Sequence, residues 1–161
     1  MELSKWFEYQ LRSTLDGFIW AVQQVPPERL YFPPPTQLGE WSAAQHVVHI
    51  LDYEERFALP TMSQWLGVPP VIPEEMERPV EPNPPLVEAK LSQLEQVRSA
   101  EINMLSKFAS AAWSTVQRTT FWGDVSLFWL VCKTYQHTVE HTHNVLSLIL
   151  FWDSTTRRPG H

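Results

Sequence analysis

The amino-acid sequence predicts an all-α fold, a four-helix bundle with one or two long crossover connections. Three observations lead to this prediction. Apolar residues recur at helical spacing in four stretches of about 18 to 28 residues, proline-rich segments separate these stretches, and no alternating strand pattern competes with them. The 161 residues can bury one sizeable core, so we expect a single domain over residues 1–161, with 153–161 as a flexible tail.

Prolines delimit the first two helices. The first is predicted over residues 3–24 and ends before the segment VPPERLYFPPP, because proline lacks an amide donor and clashes with the preceding turn. The second begins after Ser42, a suitable N-cap, and ends at or near Pro60. Residues 66–85 are too rich in proline for a regular helix, so we expect them to form a long connection.

The third and fourth helices complete the predicted bundle. The third is expected over residues 86–112. A connection containing RTTFWGDVS leads into the fourth helix, for which Asp124 or Ser126 is the candidate cap. The fourth helix is predicted to end near Trp152.

Composition narrows the classes of function. The net charge is −6 and no run of Lys or Arg occurs, which disfavours binding to nucleic acid. A single cysteine excludes an intrachain disulfide and is compatible with a reducing compartment. No uncharged apolar run reaches about 18 residues and charges are interleaved near the start, so we expect neither a membrane span nor a signal peptide. A cytoplasmic location is therefore expected.

The fourth helix has a polar centre within its apolar seam. Residues spaced alternately by three and four lie on one side: Leu127, Leu130, Thr134, His137, His141, Asn144, Leu148 and Phe151. Polar residues in a core seam are unfavourable unless they are hydrogen-bonded or bound to a ligand. His137 and His141 lie four apart and can share one ion, but a hydrogen-bonded core pair explains this spacing as well. Glu140 and His143 are rotated away from this face and are not expected to be ligands.

The second helix offers further histidines. His46, His49 and Tyr53 fall within about a third of its circumference, among apolar residues. His49 lies near the middle of the helix, where it could meet the pair from the fourth helix. Each histidine alone is also explained as a satisfied core or boundary group, and the residues favour a surface or boundary position for His46. Glu54 is assigned to a solvated face.

Two segments carry a resemblance to a known family. The segments GEWSAAQHVVHILDYEERF and FWGDVSLFWLVCKTYQHTVEHTHNVL together resemble the DinB-like superfamily, also called DinB/YfiT-like metalloenzymes. The family pattern has a Trp–Ser pair opening the second helix, a histidine eight residues after the tryptophan, and H-x-x-x-H-x-x-Q in the last helix. Trp41, Ser42 and His49 match the first part, while His137 and His141 match the second.

The resemblance implies a metal site and a general chemistry. It implies that His49, His137 and His141 hold one divalent ion, with zinc or nickel expected, and that Asn144 replaces the glutamine common in the family. Some DinB-like proteins are thiol-dependent S-transferases or isomerases that use bacillithiol or mycothiol, and others are described as metal-dependent hydrolases. We therefore expect a metal-dependent enzyme that activates a thiol or water for a small-molecule substrate.

Several further expectations accompany this interpretation. His46 and Tyr53 are candidates for orienting a ligand or moving a proton. Trp41 and Trp122 are expected at the mouth of the site. The 8 tryptophans in so small a bundle suggest a homodimer packed along a helix pair. The alternative is a non-catalytic bundle, serving as a ligand-binding or interaction module, whose histidines are only core polar groups.

Overall fold

Four long helical segments pack into a bundle in the computed structural model, which describes residues 3–72 and 86–156. The α-helices are, in chain order, α1 (Leu3–Gln24), α2 (Ala43–Tyr53), the short α3 (Leu59–Met62), α4 (Val87–Leu105) and α5 (Leu127–Thr156). Both α1 and α2 pack against α4 and against α5. The predicted all-α bundle is confirmed. Within the described ranges, no helix is both long and apolar enough to cross a membrane.

The first helix begins and ends where the sequence predicts. Its inner face is apolar, with buried Phe7, Leu11, Leu15, Phe18 and Val22. A short 3-10 turn over Pro27–Arg29 follows, because Pro26 and Pro27 cannot continue the ladder of helical hydrogen bonds. At the other end of the chain, α5 includes residues 153–156, which the sequence assigned to the tail. Residues 157–161 of that tail, and 73–85 of the predicted long connection, lie outside the described residues.

The second helical segment continues beyond its predicted end at Pro60. A π-helical turn over Glu54–Ala58 follows α2, and then come α3 and a 3-10 turn over Ser63–Leu66. In the wide turn, the amide of Leu59 donates to the carbonyl oxygen of Glu54, five residues earlier. Proline has no amide hydrogen to donate, and its ring clashes with the preceding turn of a regular α-helix. The wider π-helical turn relieves this clash, so the helical path continues past Pro60. The last α-helical residue is Met62, so Pro60 lies near the end of the α-helical path, as predicted, and a 3-10 turn extends that path to Leu66.

The connection between α4 and α5 contains a small β-hairpin. Helix α4 ends at Leu105, earlier than predicted, and a 3-10 turn over Ser110–Ser114 follows it. Strand β1 (Val116–Thr119) then pairs antiparallel with β2 (Gly123–Ser126). The three-residue loop closes through Gly123, whose φ of 66° is a conformation that favours glycine. Strands of four residues carry too few alternations to stand out in the sequence.

The hairpin leads directly into α5, because β2 ends at Ser126 and α5 begins at Leu127. The hydroxyl oxygen of Ser126 accepts a hydrogen bond from the amide of Trp129 at 3.1 Å, so Ser126 caps α5. Asp124, the other candidate cap, lies within β2. The loop of the hairpin packs onto the segment after α2, with the rings of Phe121 and Phe57 4.9 Å apart.

The hydrophobic core consists of two clusters separated by polar side chains. One cluster contains Leu94 and Val97 of α4, and the other contains Ile102 and Leu105 of the same helix. A set of buried polar residues occupies the level between them, and we call it the polar layer: Glu54, Arg98, Glu101, Thr134, His137, Thr138 and His141. Burying so many polar groups in one layer is unfavourable unless each finds a partner. The layer therefore marks the part of the bundle that packing alone does not explain.

Candidate metal centre

A hydrogen-bonded cap fixes the start of α2. The hydroxyl oxygen of Ser42 accepts from the amide of Gln45 at 3.2 Å, and the side chain of Gln45 accepts from the amide of Ser42 at 2.7 Å. This reciprocal capping box satisfies two donors at the helix end and fixes where α2 begins. His46 and His49 lie on the side of α2 that faces α5, 2.7 and 3.1 Å from histidines of that helix.

Three imidazole rings converge between α2 and α5. The Nε2 atom of His137 lies 3.1 Å from Nε2 of His49 and 3.2 Å from Nε2 of His141. Each of the three residues offers one nitrogen within 4.8 Å of the other two. His137 and His141 are buried, and His49 is half-buried. The structure therefore brings together all three histidines that the sequence singled out.

The spacing and chemistry of these nitrogens suit a metal ion. Two nitrogens bound tetrahedrally to zinc at about 2.05 Å are separated by about 3.3 Å, close to the distances between these rings. Neutral nitrogen atoms that face each other repel unless a proton or a cation lies between them. The three-histidine group could hold a divalent ion, and the residues present fit it.

The surroundings of the cluster lower the pKa values of its histidines. Burial lowers the pKa of His137 and of His141 to about 3, and the neighbouring histidines add to this effect. Burial, with a contribution from His49, lowers the pKa of His46 to about 4. These rings are therefore neutral at pH 7, which is the form that binds a metal.

His46 is buried, although the sequence favoured a surface or boundary position for it. Only 6% of it is exposed, and its Nδ1 lies 2.7 Å from Nδ1 of His141. When Nε2 of His141 faces the cluster as a lone-pair donor, its proton resides on Nδ1 and is donated to His46. A lone histidine on a half-apolar helix face gives no sign of this contact, because the partner comes from another helix.

Aromatic rings enclose the cluster on two sides. The indole of Trp41 stacks on His141 at 5.9 Å with an angle of 11° between the planes, and it lies 4.7 Å from His49. On the other side, the ring of Tyr53 lies 4.3 Å from His137, and Trp122 from the hairpin lies 6.1 Å from Tyr53. Trp41 therefore borders the cluster directly, whereas Trp122 contacts Tyr53 behind His137.

Tyr53 is held by a hydrogen-bonded threonine. Its hydroxyl lies 3.4 Å from Oγ1 of Thr134, which itself donates to the carbonyl oxygen of Leu130 at 3.2 Å. Tyr53 therefore donates to Thr134. Burial raises the pKa of Tyr53 above its usual range, so the hydroxyl stays protonated at neutral pH.

The seam predicted for α5 holds only in part beyond His141. Leu148 is buried as expected, but Asn144 and Phe151 are exposed, and Val145 beside Asn144 is buried instead. An α-helix drifts by about 20° per heptad relative to a strict 3.5-residue repeat, so a seam extrapolated over 30 residues moves out of register. Exposed Glu140 and His143 lie outside the histidine cluster, in agreement with the sequence interpretation.

Sequence reasoning missed the charged part of the polar layer. Glu54 was assigned to a solvated face, but it is fully buried and paired with Arg98. A signal was present in α4, because Leu91, Leu94, Arg98, Glu101 and Leu105 follow the same alternation of three and four residues. Two charged residues in an apolar seam indicate a buried ion pair.

Comparison with known protein families identifies a relationship. The sequence model of the DinB superfamily matches residues 10–145, a span that contains α2 and all the histidines of the cluster. No curated protein and no solved structure matches the chain significantly.

Proposed function

The chain belongs to the DinB superfamily, and from that premise we propose that it is a metal-dependent enzyme. His49, His137 and His141 hold one divalent ion, and the enzyme activates a thiol or a water molecule for attack on a small-molecule substrate. The observation that carries this proposal is the convergence of three ring nitrogens, with two contacts of 3.1 and 3.2 Å.

The set of ligands argues for zinc or nickel and for an open site. Imidazole suits both ions, whereas calcium and magnesium prefer oxygen ligands. Three protein ligands leave at least one position for water or substrate, which is typical of catalytic zinc sites and unlike closed structural sites with four ligands. An ion held there lowers the pKa of a bound water or thiol, so that it is a nucleophile near neutral pH.

Residues around the cluster would orient its ligands. Nδ1 of His46 accepts a hydrogen bond from Nδ1–H of His141 at 2.7 Å and so keeps Nε2 of His141 free for the ion. Tyr53, anchored on Thr134, packs against the ring of His137 and limits its rotation. Trp41 covers His49 and His141 and shields the site from part of the solvent.

Turnover should depend on the bound ion, and the choice of substrates should distinguish thiol transfer from hydrolysis. The protein loaded with Zn²⁺ or Ni²⁺ would be assayed with bacillithiol, mycothiol, glutathione and coenzyme A against electrophiles, and without thiol against esters and amides. We expect turnover in one of these series, lost after chelation and in His137→Ala. Metal binding without turnover in either series would contradict the enzymatic part of the proposal and favour a binding module.

A second copy of the chain is the partner we propose for the outer face of α1 and α5. Tyr9 and Trp20 on α1, with Phe128 and Leu150 on α5, are each 46–68% exposed. With Trp6 and Val139 they present on the order of 600 Å² of apolar surface, near the roughly 800 Å² per partner of a stable interface. Sedimentation equilibrium should report a dimer that Trp20→Glu weakens; a monomeric wild-type protein at micromolar concentration would contradict it.

A further inference from the structure

A single arginine joins three helices at the centre of the polar layer. Arg98 of α4 is 1% exposed, and its Nη1 donates to the carbonyl oxygen of Leu11 in α1 at 2.7 Å. Its Nε donates to Glu54 at 3.0 Å, and its Nη2 pairs with the same carboxylate. Nη2 also donates to Oγ1 of Thr138 in α5 at 2.8 Å. The guanidinium thus bridges α1, α5 and the turn after α2.

Two of these partners adjoin the candidate metal centre. Thr138 directly follows His137 along α5. Glu54 directly follows Tyr53, whose ring lies 4.3 Å from His137. The bonds of Arg98 to Glu54 and to Thr138 therefore connect the helical segment that carries His49 with the helix that carries His137 and His141.

Stability alone does not explain this arrangement. Glu54 and Glu101 are both fully buried, and Glu101 lies 3.2 Å from Nε of Arg98. Replacing a buried ion cluster with apolar residues is often neutral or stabilising, so such clusters add little net stability. A requirement for defined geometry is the better explanation.

The charges of the cluster partly balance. Burial and the nearby charge of Glu54 raise the pKa of Glu101 well above its ordinary value, which favours its neutral form. The guanidinium then pairs with Glu54. The arginine is therefore fixed in place by a matched charge and by two neutral acceptors, Leu11 and Thr138.

We propose that Arg98 is a positioning residue of the metal centre, which fixes the spacing of α2 and α5 through its bonds to Glu54 and Thr138. This inference rests on the proposed function, because it concerns the geometry of the same three histidines. Groups that orient metal ligands typically change metal affinity by about 10- to 100-fold when they are removed. Arg98 acts one step further out, through the helices, so the lower end of that range applies.

Thr138 allows the link to be cut with little change in volume. Thr138→Val removes the hydroxyl that accepts from Arg98, and Thr138→Ser keeps it. Titration of the metal-free proteins with Co²⁺ and Zn²⁺ should give an affinity about tenfold weaker for the valine variant and near wild type for the serine variant. The absorption spectrum of bound Co²⁺ should change only in the valine variant, since it reports the arrangement of the ligands.

Thr142 supplies a matched control on the same helix. It donates to the carbonyl oxygen of Thr138 at 2.8 Å, just as Thr138 donates to Thr134 at 3.2 Å, and the described residues show no bond between it and Arg98. Thr142→Val should therefore bind Co²⁺ like the wild type. The triple variant Arg98→Met, Glu54→Gln and Glu101→Gln, which removes all three charges of the cluster, should reproduce the loss seen in Thr138→Val.

The outcomes separate this inference from the proposal beneath it. Wild-type protein that binds no metal would overturn both. Wild-type binding with equal affinities and spectra for Thr138→Val, Thr138→Ser and Thr142→Val would overturn the positioning role alone. A loss of thermal stability in Thr138→Val without a change in metal affinity would assign Arg98 to folding only, and would also overturn it.

Discussion

Replacing His137 with alanine should abolish stoichiometric binding of a divalent ion. Its Nε2 is the atom in contact with both other rings, at 3.1 Å from His49 and 3.2 Å from His141. Without it, the two remaining histidines come from different helices and offer an incomplete ligand set. We expect affinity for Zn²⁺ and Ni²⁺ to fall by more than about 100-fold, beyond the effect of removing a group that only orients a ligand. Calorimetric titration of the metal-free proteins measures this change.

Two other histidine variants test whether the effect is specific. His46→Phe keeps an aromatic ring at this position but cannot accept a hydrogen bond from His141, so the affinity for the ion should fall by about tenfold. His143→Phe alters an exposed histidine on the same helix as His137 and should leave binding unchanged. Circular dichroism establishes that each variant is folded. Equal loss in His143→Phe and His137→Ala would point to nonspecific binding at the surface.

The second large effect is stabilisation of the folded protein by the ion. A ligand that binds only the folded state at 1,000 times its Kd raises the free energy of unfolding by about 4 kcal/mol. For a chain of this size, each kcal/mol raises Tm by about 2–4 °C, so an increase of about 8–16 °C is expected. Scanning calorimetry of metal-free protein with and without Zn²⁺ or Ni²⁺ measures the change.

Chelation and the ligand variants serve as controls for the thermal experiment. EDTA added to the loaded wild-type protein should return Tm to its metal-free value, and His137→Ala should show little increase with either ion. If Tm of the wild-type protein is the same with chelator and with added metal, the histidines are core polar groups. The alternative of a non-catalytic bundle would then be the better account.

Local signals allowed much of the fold and of the site to be predicted. The limits of α1 follow from an apolar repeat that ends at prolines, and Ser42 was identified because a capping residue acts on its own helix end. The three histidines were found because two stand four apart on one helix and the third belongs to a recognisable pattern. Each of these features depends on residues close together in the sequence or on a known motif.

Features that depend on contacts between helices were not predicted. His46 meets a partner 95 positions away, and Glu54 meets Arg98 44 positions away. The segments around His46 and Glu54 carry no local sign of these contacts, so His46 was assigned to a surface or boundary position and Glu54 to a solvated face. Only the charged residues in the apolar seam of α4 indicated the buried ion pair. The continuation of the helical path past Pro60 was missed for a different reason. The rule that proline interrupts a helix applies to the interior of a regular α-helix, and a π-helical turn is rare.

The family motif also acquires a physical explanation from the structure. Ser42 caps α2 through a reciprocal hydrogen-bond pair, and Trp41 before it stacks on His141 of α5. One residue fixes the start of the helix that carries His49, and the other covers the histidines from outside. The Trp–Ser pair therefore serves the site in two ways, although neither residue is a candidate ligand.

Titration of metal-free protein with Co²⁺, followed by visible absorption, tests the central claim most directly. Ligand-field bands of a bound ion report how many sites fill and how many ligands surround the ion. We predict saturation at one equivalent per chain for the wild type and no saturable site for His49→Ala, since that histidine joins the pair from α5. Absorption that does not saturate in the wild type, or a full site in His49→Ala, would contradict a three-histidine metal centre.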